Sequence, residues 1–466
     1  MTTLCSPERL STIPALADPP AAGPRRRRHF FHTPGWPLRV ALYGFPIFWL
    51  CGLGEFVWPI MALPMAFHLW RQRRPVRVPP YFGLWLLLLV WVIAGAVMIG
   101  QPLVGTLLSS GGYVGWAVRS LDLLSATVVL LYLGNLSEDE LPTRKVIRML
   151  GFLFAVTVVG GLLGIAFGNV SFTSPFELIL PHSIRTNYYV QQLVHPGFAE
   201  VEGVLGHTSP RPKAPFAYTN NWGNNLSLLL IWFMAGWWAR GSRRIKLVAF
   251  ATLIVAVVPV IYSINRGLWI GLGLSLVFAA FHLAARGRLG LLASALAIGA
   301  VGALVFSLTP LNSIVSQRLQ HPHSNAIRSS LNTDAYEAAL RSPIVGWGTT
   351  RSTLGSPSSI AVGKTSLCPT CGNAPIGSTG ELWTLLIANG FVGTAAFFGF
   401  ILLVAFSFRR DRSPEGIAAR LVLYLAPFYA LFYPSLPTAL TLTFISMALL
   451  WRANSASMPR VLGEPG

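Results

Sequence analysis

The fold class predicted for this chain is an all-α integral membrane protein, with about twelve transmembrane helices and two long extracytoplasmic loops, the second containing short helices. Three observations predict it. Only 11% of the 466 residues are charged and 53% are hydrophobic, where a soluble domain carries roughly 25% charged residues. Apolar stretches without a single charge recur, as over residues 81–99, and about 20 such residues cross the hydrocarbon as a helix. Between them Lys and Arg gather in short clusters, the habit of cytoplasmic loops.

Taken in order, residues 1–37 hold Arg25-Arg-Arg-Arg28 among Pro and Gly without apolar periodicity. A disordered basic cytoplasmic tail is expected there rather than a signal peptide. The membrane domain covers 38–454. Residues 38–70 lie between basic flanks, so two short helices with a turn near 52–55 are expected. Spans 81–100, 112–133 and 146–167 follow, the last after a polar cytoplasmic loop at 134–145. The first external loop is about 168–222, and 223–239 returns to the basic cluster 240–246. Spans 247–262 and 267–285 turn externally at 263–266, and 289–308 leads out to the second external loop, about 309–380. Spans 381–406, 417–432 and 436–451 complete the bundle, with 455–466 as a cytoplasmic tail. Both termini are then cytoplasmic.

The net charge of +19 follows from those cytoplasmic clusters, and no basic soluble domain or base-stacking module points to nucleic acid. The basic residues left outside are informative because orientation does not require them. In the second loop, 326–340 has helical spacing (Ile327, Leu331, Ala335, Ala338, Ala339), and Pro343 with Gly346 and Gly348 stops it. Arg328, Asp334, Glu337 and Arg341 give this helix too much charge for lipid.

Arg266 stands in the tight turn Tyr262-Ser-Ile-Asn-Arg266-Gly267, where a guanidinium is held at the membrane boundary and matches phosphate in a bidentate manner. The bland alternative is an interfacial arginine reaching for headgroups. Gly267 and Gly271 form a GxxxG that admits close approach of a neighbour. Arg211 and Lys213 precede Tyr218, Asn220, Asn221, Trp222, Asn224 and Asn225 at the start of a helix. Asn220 or Asn221 can cap that helix, while amides and aromatic faces together suit a sugar. Arg119 and Asp122 share a helix face and can neutralise one another or line a polar cavity. Cys368-Pro-Thr-Cys371 favours a short-loop disulfide outside the membrane, since zinc needs two further ligands. The external histidines match no ligand spacing, so neither metal nor cofactor is expected, and no P-loop or Gly-x-Ser-x-Gly elbow is present.

Three segments resemble the O-antigen ligase/polymerase superfamily of bacterial membrane glycosyltransferases, of the GT-C type. Arg211 through Asn225 resembles that family's Arg…Gly-Phe…Asn approach to a mid-chain helix. The turn 263–268 is similar to its Ser-Arg-Gly turn, with Asn265 in place of serine. Arg328…Ala338-Ala…Pro343…Gly346-Trp-Gly348 resembles its loop helix and the following Gly-x-Gly. The resemblance implies transfer of a glycan from a polyprenyl-pyrophosphate-linked donor to a glycan, lipid or protein acceptor. This would occur at the outer face of the bacterial cytoplasmic membrane, without metal and with inversion. Arg266, Arg211 and Arg328 would steady the pyrophosphate, while Arg119, Lys213, Tyr218, Asn220, Asn221 and Arg341 would bind substrate. One departure stands out. Where the family often has His-Asn before the helix after the large loop, this chain reads Gly377-Ser-Thr-Gly-Glu381-Leu-Trp383, which leaves Glu381 as the nearest base. A flippase of lipid-linked glycans and a peptidoglycan-type polymerase are the competing readings.

Overall fold

The computed structural model describes residues 33–72, 74–107, 112–185, 188–202, 209–287, 290, 293, 323–353, 375–435 and 437–456. The expected span 289–308, nearly all of the terminal tails and the Cys368–Cys371 pair lie outside these residues, apart from isolated helical positions.

The chain is mostly helical. It begins with α1 (Trp36–Tyr43), α2 (Phe45–Leu50) and α3 (Val57–Arg71). Gly44 followed by Pro46 separates the first two, because Pro is tolerated only in a helix's first turn. The turn before α3 is the one expected near 52–55. α4 (Phe82–Gly95) tightens into a 3-10 turn at Ala96–Met98, and strand β1 (Thr106–Leu107) follows. Next come α5 (Gly112–Asn135) and α6 (Thr143–Ala166). The first loop holds α7 (Pro175–Ile179), α8 (His182–Arg185), α9 (Tyr188–Val194), β2 (Ala199–Glu202) and β3 (Ser209–Pro212). α10 (Thr219–Phe233) widens to a π turn, and α11 (Arg243–Tyr262) and α12 (Arg266–Ala284) form a tight pair. The second loop contributes α13 (His323–Arg341), β4 (Arg351–Thr353) and β5 (Pro375–Ile376). α14 (Glu381–Ser407), α15 (Pro414–Tyr429) and α16 (Pro437–Ala456) close the bundle.

Among the described residues five helices are long and apolar enough to cross a membrane: α5, α6, α11, α12 and α14. Where water is scarce, buried indole N–H groups need partners, and neighbouring helices supply hydroxyls or carbonyls. Trp58 Nε1 donates to Thr438 Oγ1 (3.0 Å), Trp85 Nε1 to Thr127 Oγ1 (2.7 Å) and Trp232 Nε1 to Ser446 Oγ (2.9 Å). Each bond ties helices far apart in sequence while their apolar faces build the core.

Three expectations need correction. The protein is not purely α: β1, β4 and β5 form an antiparallel sheet, and β2 pairs with β3 in the register Glu200↔Arg211. Pro210 and Pro212 exclude helix there, and cross-strand bonds satisfy the extended backbone instead. The second loop contains a helix of 19 residues rather than short helices alone. Its apolar residues Leu331, Ala335 and Ala338 form a satellite core with Leu103, Trp347, Ile376 and Ile387, which fixes α13 over the start of α14. Lastly, α10 starts at Thr219 rather than at Gly223.

Arg351, 1% exposed, joins this satellite to the bundle. Its Nη2 donates to the carbonyls of Ile99 (2.8 Å) and Met98 (3.0 Å), acceptors left over where the 3-10 turn ends.

Candidate functional site

The site grows from the turn between α11 and α12. Ile264 has φ 53°, a left-handed conformation that a β-branched residue rarely adopts. Such a residue costs on the order of 1–3 kcal/mol, and its surroundings must hold it. Asn265 caps α12 by accepting from the Leu268 N–H at 3.2 Å, which sets Arg266 as the first helical residue, half-buried. Arg211 reaches the same turn from β3: its Nε donates to the Ser263 carbonyl at 2.9 Å, and the side chain is buried.

From Asn265 the polar contacts continue. Asn265 Nδ2 donates to Asn220 Oδ1 at 3.5 Å, and the Tyr433 hydroxyl donates to Asn265 Oδ1. The Tyr433 carbonyl accepts from the Glu381 N–H at 2.9 Å. Glu381 Oε1 pairs with Arg119 Nη2 at 2.5 Å, and its Oε2 accepts from the Ser435 N–H at 3.0 Å. Arg328 is near enough for its charge to act on the Tyr433 phenol, whose pKa burial nevertheless drives well above the usual range. One turn on from Arg328, Asn332 Oδ1 accepts from Thr379 Oγ1 at 2.5 Å, two residues before Glu381.

Thus Arg211, Arg266, Arg328, Asn220, Arg119 and Glu381 belong to one connected polar network. The GxxxG does admit a close neighbour, and it is a pair of tyrosines. A Cβ added at Gly267 would lie 2.5 Å from the Tyr433 hydroxyl, and one at Gly271 would lie 1.9 Å from that of Tyr429.

Other predicted residues fall elsewhere. Lys213, two residues from Arg211, turns into a small recess with Glu55, His195 and Gly197. Burial there lowers its pKa, and the Glu200 carboxylate opposes that shift. Arg341 is exposed at the end of α13, with no hydrogen bond or ion pair among the described residues. Tyr218 is the residue before α10, and its side chain does not cap the helix. Asn220 and Asn221 do not cap it either. The earlier start puts both inside the first turn, with Asn221 buried. Nor does Arg119 pair with Asp122. Three residues apart on one helix, they diverge, and Arg119 takes the more deeply buried Glu381 instead. Both Glu381 oxygens are therefore engaged, so acting as a base requires giving up one bond.

Sequence reasoning missed Glu55, Tyr433 and the Ser263 carbonyl. Glu55 sits in the turn before α3, buried, accepting from the Ala217 N–H. Its Oε2 has no hydrogen-bond partner among the described residues, and desolvation pushes its pKa up to about 7. A lone acid in a long apolar stretch was the available signal. Among the described residues, no group of three or more His, Cys, Asp or Glu is placed to hold a metal ion. No protein-family model matches the chain, and no curated protein matches it.

Proposed function

We propose that the protein transfers a glycan from a polyprenyl-pyrophosphate-linked donor to an acceptor hydroxyl. In this reading the chain crosses a bacterial cytoplasmic membrane about twelve times, both termini are cytoplasmic, and the arginine network faces outward. The observation that carries the proposal is the bond from Arg211 to the Ser263 carbonyl. It braces the strained turn that presents Arg266, so two guanidinium groups 55 positions apart in the chain meet at one bundle end.

The chemistry asked of such a site is electrostatic. The acceptor oxygen bonds to the anomeric carbon as the bond from that carbon to the pyrophosphate oxygen breaks. The leaving pyrophosphate takes the electron pair, and fixed cations offset its growing charge. The acceptor proton goes to a carboxylate, for which Glu381 is nearest to the arginines once one of its bonds is released.

The test uses purified full-length protein in detergent with a polyprenyl-pyrophosphate oligosaccharide and an excess of acceptor. Transfer by wild type and a loss of about 10²–10³-fold in Arg266→Ala is the expected result, the usual cost of removing one charge-stabilising donor. Undiminished transfer by Arg266→Ala removes the central residue. Movement of donor across sealed vesicles without bond cleavage supports the flippase instead.

A further inference from the structure

The first loop contains a second constellation that the arginine network does not use. His195 Nδ1 lies 2.8 Å from Glu177 Oε2, and His195 Nε2 lies 3.2 Å from Ser171 Oγ. An ionised carboxylate can only accept, so Nδ1 carries the proton, and Nε2 is left to accept from the Ser171 hydroxyl. Exposure follows the same order. The Glu177 side chain is 7% exposed, that of His195 is 33% exposed, and Ser171 is exposed. A buried acid orienting an imidazole toward an accessible hydroxyl is the arrangement that activates a serine nucleophile.

The loop holds these residues rigidly. Ser174 Oγ donates to the Val194 carbonyl at 2.6 Å and accepts from the Glu177 N–H at 3.1 Å. One buried hydroxyl therefore fixes the acid against the residue that precedes His195. Ser171 is placed by a bridge to Gly197, flanked by Phe172 N–H to Pro196 O and Phe198 N–H to Val170 O. In such an antiparallel pair the two side-chain positions face each other closely. On the second strand that position is empty. A Cβ at Gly197 would lie 3.3 Å from both Ser171 Cβ and Lys213 Cε. The gap beside the hydroxyl is thus bounded by a buried amine, and it adjoins a recess with room for about one water-sized group.

We infer that Ser171, His195 and Glu177 form a hydrolytic site for short-chain carboxylic esters, with Gly197 leaving space for the acyl carbon and Lys213 facing the developing oxyanion. Ser171 Oγ bonds to the ester carbon while its proton passes to His195 Nε2. The tetrahedral adduct expels the alcohol, which takes that proton. Water then gives a proton to His195 and its oxygen to the acyl carbon, and the released serine recovers the proton. The sum is ester plus water to alcohol plus carboxylic acid. Glu177 acts through His195 and is a positioning residue. None of this depends on the glycan-transfer proposal.

The experiment uses full-length protein in detergent with a fluorophosphonate probe, p-nitrophenyl acetate and p-nitrophenyl palmitate. Peptide mass spectrometry is expected to find the phosphonyl group on Ser171, with the acetate turned over and the palmitate not. Ser171→Ala, at an exposed position, keeps the wild-type melting midpoint and loses at least ~100-fold in acetate hydrolysis. Glu177→Gln loses at least ~100-fold in kcat with KM unchanged, a split that a merely structural role does not produce. Wild-type Ser171 left unmodified by excess probe, or wild-type hydrolysis in Ser171→Ala, overturns the inference. Palmitate preferred over acetate overturns the short-chain assignment.

Discussion

Arg119 on α5 and Glu381 at the start of α14 form an ion pair at 2.5 Å across 262 positions of the chain. Glu381 is nearly fully buried, so Glu381→Gln or Arg119→Met leaves the other member without its partner. Breaking a buried pair from one side costs about 3 kcal/mol or more, whereas removing both members together costs much less. Each single variant is therefore expected to lower the thermal midpoint in detergent. The double variant Arg119→Met with Glu381→Gln is expected to recover most of the loss. Additive losses in that cycle mean the pair is not coupled.

The glycines of α12 yield a second prediction. Gly271 leaves room for the Tyr429 ring, and an added Cβ would lie 1.9 Å from its hydroxyl and 2.4 Å from the adjoining ring carbon. Tyr429 stacks on Tyr433 with ring centroids 5.5 Å apart, so it cannot swing aside without disturbing the bond from Tyr433 to Asn265. Gly271→Ala is expected to cost about 1–3 kcal/mol, the usual range for overpacking. Adding Tyr429→Leu, which withdraws those ring atoms, is expected to restore part of the midpoint. Gly273→Ala, open on all sides, is expected to leave it unchanged.

The part of this architecture that periodicity controls was legible from the sequence. The helix over 326–340 follows from Leu331, Ala335, Ala338 and Ala339 at helical spacing, and all four are buried. The positions flanking Arg266 announce a tight turn because two apolar helices leave only three residues between them. The partner of Glu381 was not legible, because nothing local to α5 or α14 specifies a contact made by folding. The strands were hidden for another reason: at two to four residues each they are too short to show alternation. Ser171, Glu177 and His195 follow no contiguous motif, since a loop brings them together through Ser174 and the bridge to Gly197.

Arg211 is the residue on which the transfer proposal can be graded. It is buried, and one nitrogen is committed to the Ser263 carbonyl, leaving the rest of a planar fork for an anion. Lysine keeps the charge and loses the fork, and methionine loses both. Transfer on a lipid-linked donor is expected to fall by about 10-fold in Arg211→Lys and by about 10²–10³-fold in Arg211→Met. Equal rates for the two variants exclude a role for the charge.

Glu55 predicts how stability depends on pH. Its ordinary pKa of 4.5 is pushed up to about 7 by burial, with the Ala217 N–H opposing. Lys213 and His195 face it across the recess, and Asp122 on α5 is near enough for its charge to be felt. Because the folded pKa lies above the unfolded one, the folded state binds the extra proton between about pH 4.5 and pH 7. The contribution of Glu55 is therefore complete below pH 4.5 and is lost as pH rises through about 7, a change of about 3 kcal/mol at 1.36 kcal/mol per pKa unit. Glu55→Gln keeps the neutral shape at every pH. Its melting midpoint is expected to match wild type near pH 4.5 and to exceed it at pH 8, with the gap opening across that interval. A constant difference at both ends means that Glu55 titrates alike in the folded and unfolded chain.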